Sequence, residues 1–210
     1  MEIMNFKESK KILAKYKMPL CQTEIFDSKD KGMVFAKKIG YPVVLKVYGP
    51  QIFHKSEIGG VETGIGNDEE FSAAWERIIS KTKDKEVEGI LVQETIPGTE
   101  LAVGMKRDDQ FGPVLMFGLG GIFIEIIKDV SLRIAPINKE EALKMIKEIK
   151  GYKLLEGYRG KDAVDTGKIA NLLFGLSSLS VKEDKIASVD FNPVIVNKQG
   201  TYIVDVRIII

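Results

Sequence analysis

The stretch YPVVLKVYGPQIFHKSEIGGV, residues 41–61, decides how this chain is read. Residues 42–47 form an apolar run carrying a single charge, Lys46. Next come the one histidine of the protein, His54, a second lysine, Lys55, and the pair Gly59-Gly60, which opens the next apolar run. Branched aliphatic residues between turn formers read as a buried strand, and residues 61–65 as its partner after the loop. A strand that delivers an ammonium group into a loop, followed by glycines with bare backbone N–H groups, is a way to surround a polyphosphate. The sequence contains no GxxxxGK[ST], so this is not a P-loop.

Working outward, 210 residues with 44% hydrophobic and 29% charged side chains suffice for one sizeable core or two small lobes. A formal net charge of +1 sets up no global field for a polyanion, so phosphate binding must be local and nucleic acid is not an expected partner. Cys21 is the only cysteine and cannot form an internal disulfide, and no Cys/His pattern offers a zinc site, so a reducing cytoplasm is the expected compartment. The first eighteen residues lack the unbroken apolar core of a signal peptide, and no apolar run approaches a membrane span.

Apolar periodicity predicts helices over residues 5–16, 28–39, 69–81, 138–150 and 165–179, with Asp27-Ser28 and Asn67-Asp68 as N-cap candidates and Gly40 closing the second helix. Strands are expected at 20–26, 42–47, 61–65, 89–94, 100–105, 113–117, 186–196 and 202–206, with a hairpin turn at 106–109. Neighbouring strands pair repeatedly, which predicts an α+β fold with two lobes rather than a doubly wound parallel sheet. The expected division is an N-terminal helical segment over 1–20, a small subdomain over 21–105 and a C-terminal subdomain over 106–210, hinged near 94–105. The closing DVRIII reads as a short tail.

Each candidate residue has a plainer reading beside the functional one. Lys46 alone is a lysine whose head leaves the core, and the glycines after it turn the reading toward phosphate. His54 is a polar loop residue, a general base, or a nucleophile that takes up a phosphoryl group. Glu94, Glu100 and Glu125 lie in or beside apolar runs and singly read as outward residues of a half-exposed sheet. Together with Asp190, Asn192 and Asp205 they make a set of hard oxygen donors of the kind that hold Mg²⁺, and Asn192 and Asp205 come from two consecutive strands, which a hairpin would bring to one face. Residues 118–121, GLGG, are a turn or a place of close backbone approach to a ligand. Arg133 neutralises a phosphoryl group or pairs with Asp129.

Taken together, YPVVLKV, HKSEIGGV, QETIPGTELAVG, FGPVLMFGLGGIFIEIIKDVSLRIAP and DFNPVIV resemble the ATP-grasp domain of ADP-forming acyl-CoA synthetases, in the form of the separate β subunit of the archaeal acetyl-CoA synthetase type. The resemblance runs over essentially the whole chain. It implies two α+β lobes that close on ATP or ADP with Mg²⁺, and a phosphoryl group relayed through a histidine, His54, so that acyl-CoA, ADP and phosphate give ATP. By the same resemblance Lys46, Lys55, Gly59 and Gly60 attend the nucleotide phosphates, and Glu94 with Thr95 and Ile96 the adenine side. Glu100 attends the ribose, Asn192 and Asp205 the metal, and Asp190 the phosphohistidine, while Arg133 matches a family arginine. A CoA-binding α subunit, in an α2β2 complex, is the implied partner. Another ATP-grasp carboxylate ligase and a nucleotide-sensing module without turnover are the alternatives.

Overall fold

Two antiparallel sheets, each backed by helices, make up the fold. The computed structural model describes residues 2–49, 52, 55–121, 124, 126–157 and 162–210. In chain order the elements are α1 (Phe6–Lys15), β1 (Thr23–Phe26), α2 (Lys29–Ile39), β2 (Val43–Tyr48), β3 (Val61–Ile65), α3 (Asp68–Lys81), β4 (Gly89–Glu94), β5 (Thr99–Asp108), β6 (Gly112–Leu119), β7 (Val130–Ile134), α4 (Lys139–Glu148), a 3-10 turn (Lys150–Leu154), α5 (Thr166–Lys182), β8 (Ser188–Val196), β9 (Thr201–Ile203) and β10 (Arg207–Ile209).

Residues 21–96 form one compact unit, whose sheet runs β1-β4-β2-β3. The period-2 alternation of β2 sends Val43, Leu45 and Val47 into a core with Phe71, Ala74 and Ile78 of α3 and Ala36 of α2. Lys46 is thereby assigned to the opposite face. The helix α3 starts where its sequence says it should: the Asn67 side chain accepts from the Glu70 backbone N–H, and three acids occupy the first turn, where the helix dipole favours them.

Residues 1–20 and 97–210 form the second unit, with the sheet order β10-β8-β5-β6-β7 and β9 paired to β8. Leu101, Val103 and Met105 of β5 share a core with Leu115 and Phe117 of β6, Val189 and Phe191 of β8, and the apolar faces of α4 and α5. Phe117 and Phe191 are wholly buried, each contributing about 1.5–3 kcal/mol of transfer free energy. The expected boundary after residue 105 cuts through β5, which runs unbroken to Asp108 because it is the middle strand, paired to β6 on one side and β8 on the other. The turn read at 106–109 is strand as far as Asp108. Residues 1–20 do not stand apart: Leu13 belongs to this core, and Lys15 and Tyr16 both donate to Glu183 at the end of α5. Nor is the terminus a loose tail, since β10 pairs with β8 and Ile208 is fully buried.

Candidate functional site

In the unit of residues 21–96 the site is built on β2. Lys46 is only 9% exposed, opposite Leu91 on one side and Val61 on the other. A lysine so enclosed on a strand keeps its charge only where anionic or polar groups face it, which suits a place beside phosphate. Cys21 lies within its field. Burial pushes that thiol up to about 12, with Lys46 pulling the other way, so the cysteine is a neutral, inert neighbour.

The loop that follows β2 is tied down at both ends. Ile52 is buried in the core, and a Cβ on Gly49 would lie 2.1 Å from the Glu86 carbonyl oxygen. At the far end the Gly60 N–H donates to the Lys55 carbonyl at 2.7 Å, and the Gly60 carbonyl accepts from Val47 N–H at 2.8 Å. A side chain at Gly60 would drive a Cβ to 2.4 Å from Val47 Cγ1, and Gly59 takes φ +67°. The glycine pair is therefore needed for closure onto β2, and Gly49 and Gly60 serve as anchors. His54 lies between these anchors in sequence and outside the described residues, as does Glu125.

Glu94 is the last residue of β4, an inner strand of the same sheet. Its carboxylate accepts from the Gln22 backbone N–H at 2.6 Å and from Gln22 Nε2 at 3.2 Å, holding β1 to β4. Thr95, exposed just beyond, donates its N–H to the Pro42 carbonyl at 3.3 Å, and Ile96 is half-buried. Glu94 thus positions the segment 94–96 through its side chain.

The second unit gathers a different set. On β8, Asp190 and Asn192 are two residues apart and both exposed, so they share the sheet face turned away from α4 and α5. Arg207 of β10 is the register partner of Asp190. Asp205 lies between β9 and β10 rather than within a strand, and its backbone N–H and that of Val204 both reach the Pro193 carbonyl, at 3.4 and 3.1 Å. This brings Asp205 beside Asn192, whose peptide bond to Pro193 is cis. Partial burial raises the Asp190 pKa; Arg207 opposes the rise and Asp205 adds to it. Arg207 carries no signal in the sequence that would single it out; the pairing of β10 with β8 is what brings it to Asp190.

Glu100 is exposed at the start of β5 and is where the GLGG segment rests. The Gly120 N–H donates to the Glu100 carbonyl at 2.8 Å, and a Cβ on Gly120 would meet Glu100 Cβ at 3.0 Å. The glycine therefore allows close approach to Glu100.

Arg133 lies on the helix side of the sheet, opposite Leu115, whereas Asp190 and Asn192 lie on the other side. Its guanidinium bridges β7 to α4, donating from Nε to Glu141 at 2.7 Å, from Nη2 to Glu148, and from Nη1 to Ser131 Oγ and the Leu132 carbonyl. Asp129 does not pair with it; that buried carboxylate accepts the N–H groups of Lys150 and Gly151 at 2.8 and 2.7 Å. These bonds tie β7 to α4, so Arg133 fixes β7. Arg133→Ala is expected to lower the melting temperature by about 2–4 °C while leaving turnover within a few-fold. The arginine holds Glu141 and Glu148 below their ordinary pKa of 4.5. A depressed carboxylate pKa contributes stability above the unfolded value and loses it as pH falls, so the deficit of the variant is full at pH 7 and closes below about pH 4. Thermal scans across pH check this.

Among the described residues no group of three or more His, Cys, Asp or Glu side chains forms a metal cage. The donor set present fits Mg²⁺ nonetheless. Asn192 and Asp205 offer an amide and a carboxylate oxygen on adjoining segments, and Mg²⁺ is characteristically held by one or two protein oxygens, with waters and substrate phosphates completing the shell.

Two α+β units, one with an enclosed strand lysine and a glycine-closed loop, the other with carboxylates and an amide on an open sheet face, are the parts of an ATP-grasp domain, and the sequence profile of that domain matches residues 1–210. The chain belongs to the ATP-grasp family, in the group of the ADP-forming acetate–CoA ligase β subunits. It is 42% identical over 208 residues to the acetate–CoA ligase [ADP-forming] I subunit beta of Pyrococcus furiosus, a match covering 97% of this chain and 90% of the relative. The acetate–CoA ligase [ADP-forming] I of Archaeoglobus fulgidus is 42% identical over 204 residues, covering 95% of this chain and 30% of that longer one. The dinucleotide-forming acetyl-coenzyme A synthetase 1 of Ca. Korarchaeum cryptofilum, solved with coenzyme A, Ca-AMPCP and HgCl+, superposes with a TM-score of 0.95 at 42% identity, covering 100% of this chain and 93% of that one. A second structure of that enzyme, with coenzyme A and Mg-AMPPCP, has its phosphohistidine segment pointing towards the nucleotide binding site; its TM-score is 0.88 at 39% identity, covering 100% and 93%. Among the described residues no helix is long and apolar enough to cross a membrane.

Proposed function

We propose that this chain is the nucleotide-binding β subunit of an ADP-forming acyl-CoA synthetase, and that it passes a phosphoryl group through His54 to ADP. The observation that carries the reading is the placement of Asp190, Asn192 and Asp205 together in a chain that matches such β subunits from end to end. A CoA-binding α subunit supplies the remaining chemistry. There, acyl-CoA and phosphate give acyl phosphate and CoA, and the acyl phosphate yields its phosphoryl group and leaves as the free acid.

In the step assigned to this chain, the P–N bond of phosphorylated His54 breaks as a β-phosphate oxygen of ADP forms the new P–O bond, and the imidazole leaves neutral. The phosphoramidate is already a high-energy donor, so the protein's task is alignment and charge screening. Lys46 offsets phosphate charge from its fixed strand. Lys55 and the N–H groups near Gly59 attend the same phosphates. Asp190 takes the role of the acid that steadies the phosphohistidine. Asn192 and Asp205 hold Mg²⁺, which when bound neutralises charge on the phosphates. Glu94 sets the 94–96 segment against the adenine, and Glu100 the ribose.

The test is ATP formation from acetyl-CoA, ADP, phosphate and Mg²⁺ by the chain co-purified with its CoA-binding subunit. The expected result is ATP and acetate in equal amounts, with neither subunit active alone. A complex that binds ADP tightly and forms no ATP from any acyl-CoA tried would overturn the reading.

A further inference from the structure

The outward face of β6 and β7 is apolar and open. Val130, Leu132 and Ile134 are 36%, 54% and 53% exposed, and Ile126 and Ile127 just before the strand are 75% and 51% exposed. Across the ladder, Met116 is the register partner of Leu132 and Val114 of Ile134, so both share that face, each half-buried. Other exposed large apolar residues, such as Val34 on α2, Phe174 on α5 and Phe111 in the β5–β6 turn, are dispersed singly over other elements. An apolar surface gathered on one sheet face is an interaction site by the ordinary standard of soluble proteins. Although β7 is the last strand of its sheet, Arg133 Nη1 bonds the Leu132 carbonyl, and a charged side chain on an edge strand discourages strand addition. The face is offered, and not the edge.

This face continues into the candidate site. Arg207, Asp190, Gly104, Met116 and Leu132 are successive register partners across β10, β8, β5, β6 and β7. Three strand spacings separate Asp190 from Leu132, about 14 Å at roughly 4.8 Å per strand. Gly104 places no side chain in that row.

We propose that the β6–β7 face seats the CoA-binding partner subunit, an inference that rests on the function proposed above. The two arrangements of the relatives point to this occupant. The matching region is nearly a whole subunit in Pyrococcus furiosus, 90% of its length, and 30% of a single longer chain in Archaeoglobus fulgidus. What a peptide link holds in one must be held by a noncovalent surface in the other, and permanent interfaces are richer in apolar area than ordinary surface. Seated here, the partner borders the row that ends on Asp190, so a segment of it carrying a phosphoryl group has about 14 Å of sheet to cross.

The test compares assembly of the co-expressed complex for the wild type, for L132D/I134D, for the milder L132S/I134T, and for V34D/F174D as a control. Sedimentation velocity reads the complex, and calorimetry on the isolated chain reads Mg-ADP binding and melting. The expected result is at least a 100-fold weaker complex for L132D/I134D, an intermediate loss for L132S/I134T, no loss for the control, and unchanged ADP affinity throughout. Equal assembly of the wild type and both Leu132/Ile134 variants would overturn the surface and leave the function standing. A wild-type chain that binds no CoA-binding subunit would overturn both. Self-association of the isolated chain, abolished by the same substitutions, would assign the face to a second copy and overturn the proposal.

Discussion

His54→Ala is expected to abolish ATP formation by the complex, a loss of about 10⁴-fold or more, while Mg-ADP binding stays within a few-fold of wild type. Removing the group that forms the covalent intermediate leaves only proximity and charge stabilisation to act, and enzymes stripped of their nucleophile fall by such factors. Binding survives because the groups proposed to grip the nucleotide lie elsewhere: Lys46 on β2, and Asn192 and Asp205 around Pro193. His54→Asn should behave as His54→Ala does, since an amide of similar size cannot carry the phosphoryl group. Should His54→Asn retain full turnover, the histidine is incidental and the phosphoryl group goes directly between substrate and nucleotide. Initial rates and isothermal titration on the same preparations separate the two effects.

Asp205→Asn carries the second large effect. The change keeps the volume and one oxygen but removes the charge that makes the Asn192 and Asp205 pair a Mg²⁺ site. Turnover should fall about 10²–10³-fold, the usual cost of losing an electrostatic contact to a developing phosphoryl charge. The Mg²⁺ needed for half-maximal rate should rise about 10–100-fold. Asn192→Ala should move the metal requirement in the same direction, whereas Arg133→Ala, on the other side of the sheet, should not move it. A titration of initial rate against Mg²⁺ gives all three answers. An unchanged metal requirement in Asp205→Asn would remove that residue from the metal.

The parts of the fold that could be read in the sequence were those whose local signals agreed with the tertiary structure. Asn67 caps α3 because its side chain and the three acids after it suit a helix start, and β2 and β3 flank a loop bounded by glycines. The misreadings share one cause, a tertiary partner that reversed a local signal. Residues 106–109 look like a charged turn, yet Arg107 lies in a strand because its guanidinium reaches the Ser180 carbonyl at 2.8 Å near the end of α5. The strand β7 was missed because its alternation is inverted. Its apolar residues Val130, Leu132 and Ile134 point outward, and its polar Ser131 and Arg133 point to the helices, where Glu148 meets both. DVRIII looked like a tail because three isoleucines say nothing of which strand they join; β8 decides it.

The site was legible in residue type and not in arrangement. Asn192 and Asp205 could be placed on one face by a hairpin of two consecutive strands, and Lys46 away from the core of its own sheet. In the structure Asp205 lies just after β9, and its approach to Asn192 depends on the Pro193 carbonyl accepting from residues 204 and 205. Arg133 shows the converse. Its motif suits a phosphate-binding arginine, and its bonds to the two glutamates of α4 are not visible in the sequence.

The most direct test of the account is the chemical state of His54 in a single turnover. The complex is mixed with [γ-³²P]ATP and Mg²⁺, quenched in alkali and digested, and the peptide spanning residues 51–60 is isolated. The account predicts acid-labile, base-stable label on that peptide, formed and discharged to ADP at least as fast as overall turnover, and absent in His54→Ala. Full ATP turnover with no label on that peptide would contradict it.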